Sequence, residues 1–432
     1  MAESSVAFTT NDARYDALAA RYRPVFDRIG ADALEREVQG VHAHEQLLWL
    51  VDAGFAAVRV PESAGGQGAR LSDVFRLIAE LAEVDPNLAH VWRNHFSFVE
   101  DRRYAHDDPR RSLWLERLGR GEMVGGGWSE SVPAASGTVD TRIEPAADGD
   151  GWVLNGAKYY STGSVFADWI TVLALDPDGE KVVALVDTRQ RGVLIGDDWD
   201  GFGQRLTGSG SVVYTDVRVA AEDVIPYSTR YPYQEQFYQS VLHALLVGIG
   251  NAIVRDGVAA LRSRRRSHGN GTTVDPTADP QILEVIGRLA GNAFAIESVF
   301  LRSIALVDAA VDAAETGATR VDGEIETESW IAVAQAQQTI ASLVLESATI
   351  VFDALGSSGT SRSVSLDRHW RNARTLISHN PRNFKLRIVG DWIVNHHNPT
   401  TRVTPTVAAA AAAAADVAVA EAAAVADAGV AR

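Results

Sequence analysis

From Asn11 to about Gly119 the apolar residues recur every three or four positions. Tyr15, Leu18, Tyr22 and Phe26 form one stripe, and Leu71, Val74, Phe75, Ile78 and Leu81 a second, the spacing of one buried face of an α-helix. Ser72 offers a hydroxyl where the second helix would want an N-cap. The period then changes. Between Gly121 and about Pro226 the apolar runs are short, as in Trp169-Ile170-Thr171-Val172-Leu173 and Val182-Val183-Ala184-Leu185-Val186, and Gly, Asp and Pro bound them; these are strands. From Tyr227 the helical period returns over long stretches, Gln236–Arg262, Pro280–Ala314 and Glu326–Leu355. The pattern predicts an α+β chain in three parts: a helical domain over 1–120, a β domain over 121–226 and a helical bundle over 227–397. Arg262–Asp279, with Arg264-Arg265-Arg266 followed by Gly, Asn and Thr, reads as a loop between long helices. Residues 398–432, with eight alanines at Ala408–Ala415, have no periodic face to bury and read as a peripheral tail.

Composition narrows the function. The chain has 432 residues, 46% of them apolar, and a net charge of −16, enough to bury a large core and unfavourable for nucleic acid or an anionic membrane. It has no cysteine, which removes disulfides, thiolate metal sites and Cys nucleophiles. Met1–Thr10 lacks a basic segment followed by an apolar one, and no run reads as a membrane span of about 20 apolar residues. The expectation is a cytoplasmic enzyme that binds neither membrane nor nucleic acid.

Several familiar patterns do not hold. Gly201-Phe202-Gly203 lacks the third glycine of a dinucleotide loop, since Leu206 stands there, and no βαβ unit follows. His42/His44 and His396/His397 lack helical i, i+4 spacing and a third ligand, so no metal site is expected. The Arg264–Arg266 cluster is either a solvated charge run or a phosphate-holding site, because guanidinium groups bind phosphate oxygens in pairs.

Four stretches, taken in order, resemble the acyl-CoA dehydrogenase superfamily of flavoproteins: the helix–VPESAGGQG–helix region over 49–90, GWVLNGAKYYSTG opening at 151, GFGQRLTGS opening at 201, and LGSSGTSRS with DRHWRNART over 355–375. The resemblance spans roughly residues 10–397. It implies the helical domain, a β-barrel-like middle domain and a C-terminal four-helix bundle, assembled as a homotetramer. The dehydrogenases of that superfamily carry a catalytic Glu after the last motif. Here Ser378-His379-Asn380-Pro381 occupies that stretch, and an amide has no useful basicity. The adenine-serving motif that comes next is also replaced, by Asn383–Arg387. The alternative is an acyl-CoA dehydrogenase whose base has moved to Glu235.

These departures resemble the monooxygenase branch typified by dibenzothiophene monooxygenase. That branch takes reduced FMN from a separate NAD(P)H flavin reductase, reacts it with O2 to a C4a-hydroperoxyflavin and passes one oxygen atom to a small substrate at sulfur, nitrogen or an aromatic carbon; FAD remains possible as the flavin. The resemblance implies His379 as proton shuttle, with Thr162, and less directly its neighbour Ser161, as the hydroxyl near flavin N5. It implies Ser129, behind Gly125-Gly126-Gly127-Trp128, beside the flavin. It implies Arg264 or Arg266 with Ser358 and Gly359 on the phosphate. His90, Trp92, Asn94, Trp128, Phe237 and Leu376 are the expected substrate pocket, with Asn94 standing where the dibenzothiophene enzyme has a Tyr and Leu376 where it has a second His.

Overall fold

The computed structural model describes residues 12–130, 139–267, 269–316 and 324–399; the tail expected over 398–432 lies almost wholly outside them. The first apolar stripe folds as two short helices, α1 (Ala13–Ala19) and α2 (Arg23–Gly30), followed by α3 (Ala33–Gln39) and α4 (His44–Asp52). The second stripe is α5 (Leu71–Val84), whose five stripe residues are all buried. Its cap is not Ser72. The helix opens one residue earlier, and Asp308 accepts from both the backbone N–H and the hydroxyl of Ser72, at 3.0 and 2.5 Å. A carboxylate from a distant helix therefore satisfies the orphan donors that a local side chain was expected to take.

α6 (Pro86–Tyr104) runs through the centre of the molecule and is buried over most of its circumference. Asp85 caps it by accepting from Asn87 and Leu88 N–H, with Pro86 at the first helical position where a missing N–H costs nothing. Two buried ion pairs fix its C-terminal half: Glu100 accepts from Arg59 at 2.6 Å and Asp101 from Arg230 at 2.9 Å. α7 (Arg111–Gly119) closes this part.

Among the described residues, eight strands lie between Val124 and Pro226: β1 (Val124–Gly127), β2 (Arg142–Pro145), β3 (Trp152–Lys158), β4 (Trp169–Leu175), β5 (Lys181–Asp187), β6 (Val193–Ile195), β7 (Val212–Val219) and β8 (Val224–Pro226). They form one mixed sheet in the order β6-β7-β3-β2-β4-β5-β8, with β1 added parallel to β4. The two expected strands β4 and β5 are antiparallel neighbours, Trp169 opposite Asp187. The sheet holds its own apolar core around Ile143, Leu154, Ile170, Val172 and Val217.

The last part consists of α8 (Gln234–Ser263), α9 (Pro280–Thr316) and α10 (Glu324–Leu355), with the shorter α11 (Asp367–Ser378) and α12 (Arg382–Asn395) laid against α10. α8 also packs on α5, so closely that a Cβ on Gly248 would lie 2.5 Å from the Ala79 carbonyl oxygen. Contrary to the expectation that no run is membrane-like, two helices, Gln234–Ser263 and Glu324–Thr360, are long and apolar enough to cross a membrane by length and composition. Central bundle helices touch neighbours on several sides, so their apolar positions spread around the helix and small polar residues fill the gaps.

Candidate active site

A cavity of about 720 Å³ opens where α6, α8, α11 and the sheet meet, a volume suited to a cofactor ring plus a small molecule. On α6 it is lined by His90, Arg93 and Asn94, the i, i+3, i+4 set that shares one helical face. Trp92, expected here, points the opposite way. It is fully buried and packs against Phe55, Phe96 and His95. Phe237 is likewise a core residue, against Phe75 and Tyr231; its neighbour Tyr238 lines the cavity instead. Leu376, Thr375, Ser378 and His379 come from the end of α11, and Trp128 and Ser129 from the end of β1.

The histidines are both neutral. His90 Nδ1 donates to Gln204 Oε1 at 2.9 Å, which leaves Nε2 as a buried acceptor with no partner among the described residues. Burial first, then the charge of Arg93, pushes its pKa down to about 3. At His379 the order reverses: the Arg93 guanidinium is the main cause, with burial and His90 behind it, and together they hold the imidazole well below its usual value. Arg93 Nη1 donates to His379 Nε2 at 3.3 Å, so the neutral ring carries its proton on Nδ1.

Thr162 ends a relay of hydroxyls. Thr207 donates to the Gln204 carbonyl at 2.9 Å and lies 2.7 Å from Ser209, which lies 2.7 Å from Thr162. Each hydroxyl has one proton, so Thr207 commits its proton to the carbonyl, Ser209 to Thr207 and Thr162 to Ser209. The Thr162 oxygen is left with lone pairs to offer the cavity. Asn94 holds this turn by donating to the Thr162 carbonyl at 2.9 Å. Ser161 is buried beside it, with its hydroxyl unpartnered among the described residues, but does not line the cavity.

Gly125, Gly126 and Gly127, which precede Ser129, lie on β1. The structure gives their space to protein: a Cβ on Gly126 would strike the Asn94 amide at 2.6 Å, and one on Gly127 would meet the Tyr214 hydroxyl at 3.1 Å. The Gly201-Phe202-Gly203 turn forms part of the cavity mouth. Gly203 lies against the Arg371 carbonyl, Phe202 stacks on Trp370 at 5.8 Å between ring centroids, and Gln204 N–H donates to Asn372 Oδ1 at 2.7 Å. Gln204 and Tyr160, both cavity-lining, have φ of +53° and +61°, a left-handed backbone that costs side-chain-bearing residues energy and gathers at functional sites.

Arg264, Arg266, Ser358 and Gly359 are brought together elsewhere, in a second concavity of about 460 Å³ that shares no residue with the first. Arg265 joins them, and no acidic residue lines it among the described residues. Glu235 sits at the mouth of the main cavity on the first turn of α8, its side chain 69% exposed. Its carboxylate accepts from Lys385 at 3.3 Å and from Trp330 Nε1 at 2.8 Å. No other carboxylate lines that cavity among the described residues.

Residues 130–217 match the acyl-CoA dehydrogenase middle domain and residues 240–384 the acyl-CoA dehydrogenase C-terminal domain: the chain belongs to the acyl-CoA dehydrogenase superfamily. Its full-length relatives place it in the flavin-dependent monooxygenase branch. A probable FMNH2-dependent monooxygenase, SfnC, of Pseudomonas putida is 24% identical over 87% of this chain and 94% of its own. Dibenzothiophene monooxygenase of Mycolicibacterium goodii is 27% identical over 85% and 91%. The crystal structure of FMN-bound TdsC from a Paenibacillus species superposes with a TM-score of 0.82, at 25% identity, over 89% of this chain and 99% of that one.

Seven expected residues therefore line one cavity: His90, Asn94, Trp128, Ser129, Thr162, Leu376 and His379. Sequence reasoning missed Arg93, Gln204 and Tyr238. Arg93 was available from spacing alone, since a face that carries residues 90 and 94 carries 93.

Proposed function

We propose that the chain binds reduced FMN delivered by a separate NAD(P)H flavin reductase and, with O2, oxygenates a small substrate held against α6, α8 and α11. When bound, the reduced flavin supplies two electrons to O2, so that one oxygen atom enters the substrate and the other leaves as water. The cavity fits a flavin ring. Trp128 Nε1 and Gln204 Nε2 are buried donors without partners among the described residues, and His90 Nε2 is a buried acceptor without one, a mixture that matches the carbonyls and N–H groups of a flavin's polar edge. Thr162, with its proton committed to Ser209, presents an acceptor, which suits the N–H that a reduced flavin carries at N5. The arginine concavity fits a phosphate, with three guanidinium groups and no acid in its described lining. Because it stands apart from the cavity within one chain, the reading includes a homotetramer in which one subunit's arginines serve another's flavin.

One observation carries the choice of chemistry. The group poised for proton transfer inside the cavity is a neutral histidine, and the nearest carboxylate, at Glu235, is solvent-facing and paired with Lys385. Removing a proton from carbon needs a desolvated base; protecting an activated oxygen needs neutral hydrogen-bonding groups and a dry wall. His379 gives and takes the proton, with Arg93 setting its tautomer. The enzyme is proposed to act in the cytoplasm without binding membrane or nucleic acid.

The test compares two reactions on the purified protein. With FMN, an NADH-dependent flavin reductase and O2, the expected result is substrate-dependent oxygen incorporation, traced with 18O2. With acyl-CoA thioesters under nitrogen, the bound flavin is expected to stay oxidised. Bleaching of the flavin by a thioester, abolished by Glu235→Gln, would replace this reading with the dehydrogenase.

A further inference from the structure

Five arginines of the described residues are buried. Arg36 pairs with Asp85, Arg59 with Glu100, Arg102 with Asp108 and Arg230 with Asp101. Arg93 is the exception. It is 8% exposed, and no carboxylate lies within ion-pair distance of it among the described residues. Its protein contacts are the Tyr238 carbonyl, 3.4 Å from Nε, the His379 Nε2, and the face of the Tyr238 ring, 4.6 Å from the guanidinium carbon. A guanidinium has five N–H donors, so donors remain to face the cavity that Arg93 lines.

Burying a cation without a counter-charge is costly, and the one carboxylate in the described cavity lining, Glu235, is exposed and paired with Lys385 instead. Both nearby histidines are neutral. The other cavity arginine, Arg230, is already bound by Asp101, Gln234 and Ser97 and stacked on Trp128. The Tyr238 hydroxyl accepts from Ser97 at 2.7 Å and from Arg230 at 3.3 Å, which leaves its own proton to be donated. Leu376 and Trp128 add apolar surface to the same lining.

We propose that Arg93 is an anion anchor, and that the cavity takes a small oxyanion with a short apolar body, a sulfinate, sulfonate or carboxylate, whose charged head pairs with this guanidinium next to His379. This deepens the oxygenase reading by naming its substrate class, and it rests on that reading for the chemistry that comes after binding. A flavin phosphate offers the same chemistry, but the concavity at Arg264–Arg266 is separate and better furnished for a dianion.

Calorimetric titration of the flavin-free protein tests the anchor, with propanesulfonate and butanoate as probes against the uncharged ethyl methyl sulfone. Both anions are expected to bind at one shared site and the sulfone at least about tenfold more weakly, since it cannot form the charge-assisted hydrogen bonds. The wild-type preference needs no variant. Arg93→Gln is expected to erase it and Arg93→Lys to keep part of it, with FMN affinity, read by flavin fluorescence, unchanged in both. Equal binding of anion and sulfone by the wild type, or loss of FMN affinity in Arg93→Gln, overturns the anchor. Anion binding at Arg93 with no FMNH2-dependent oxygenation of any bound oxyanion leaves the anchor standing and counts against the oxygenase reading.

Discussion

At the scale of single residues the site is arranged by Arg93, which sets the state of His379, the residue proposed to move the proton. The imidazole is neutral because a guanidinium 3.3 Å away opposes a second positive charge. Arg93→Gln removes that opposition, so the His379 pKa is expected to rise towards the ordinary histidine value of about 6.5 while staying below it through burial. Titration of the His379 ring by NMR reads this directly, and an unchanged pKa would deny the coupling. Thr162→Val removes the acceptor proposed for reduced flavin. It is expected to weaken FMNH2 binding by up to about tenfold, the worth of one hydrogen bond, and to affect oxidised FMN less. His90, Asn94, Thr162 and His379 were legible because each sits in a stretch with family-like spacing. Trp92 was misplaced because sequence adjacency was given more weight than helical geometry: two residues apart on a helix is just over half a turn. The hydroxyl relay through Ser209 and Thr207 had no local signal, because it depends on a turn brought from 47 residues away.

At the scale of elements, α6 is positioned by contacts that sequence periodicity does not report. Its polar residues His90, Arg93, Asn94, Glu100 and Asp101 are all buried, whereas periodicity reads polar positions as a solvated face. The long helices and β4/β5 were legible because burial of one face sets a clear period; the cap of α5 was not, because Asp308 arrives from α9. Two variants test how the elements are held. Gly248→Ala inserts a methyl where α5 and α8 touch backbone to backbone and is expected to destabilise by about 1–3 kcal/mol in denaturant unfolding. Asp256 on α8 accepts from both Arg368 and His369 of α11, tying the helix that His379 caps to the bundle. Asp256→Asn is expected to cost about 3–5 kcal/mol. Burial opposes ionisation of Asp256, but His369, Arg255 and Arg368 outweigh it and its pKa lies below the usual carboxylate range. The stabilisation is therefore full above about pH 4 and is lost as pH falls towards the depressed value, so the deficit of the variant should shrink in acid. A constant deficit from about pH 7 to about pH 3 would contradict the ion pair.

At the scale of the whole molecule, the site is divided. The ring cavity lies between the helical parts and the sheet, and the arginine concavity lies at the far end of α8 beside the turn after α10. The homotetramer proposed here reconciles them. Arg264→Ala with Arg266→Ala is expected to weaken FMN binding at least about tenfold, with the melting temperature and the light-scattering mass unchanged; undiminished FMN affinity would put the phosphate elsewhere. In the proposed reaction this protein governs how reduced FMN meets O2. The most direct test is stopped-flow absorbance after mixing protein-bound photoreduced FMN with oxygenated buffer, without substrate. A transient is expected that delays the return of oxidised flavin well beyond that of reduced FMN alone, and that is shortened in His379→Ala. Oxidised flavin appearing at the rate of the unbound cofactor, in wild type and variant alike, would contradict it.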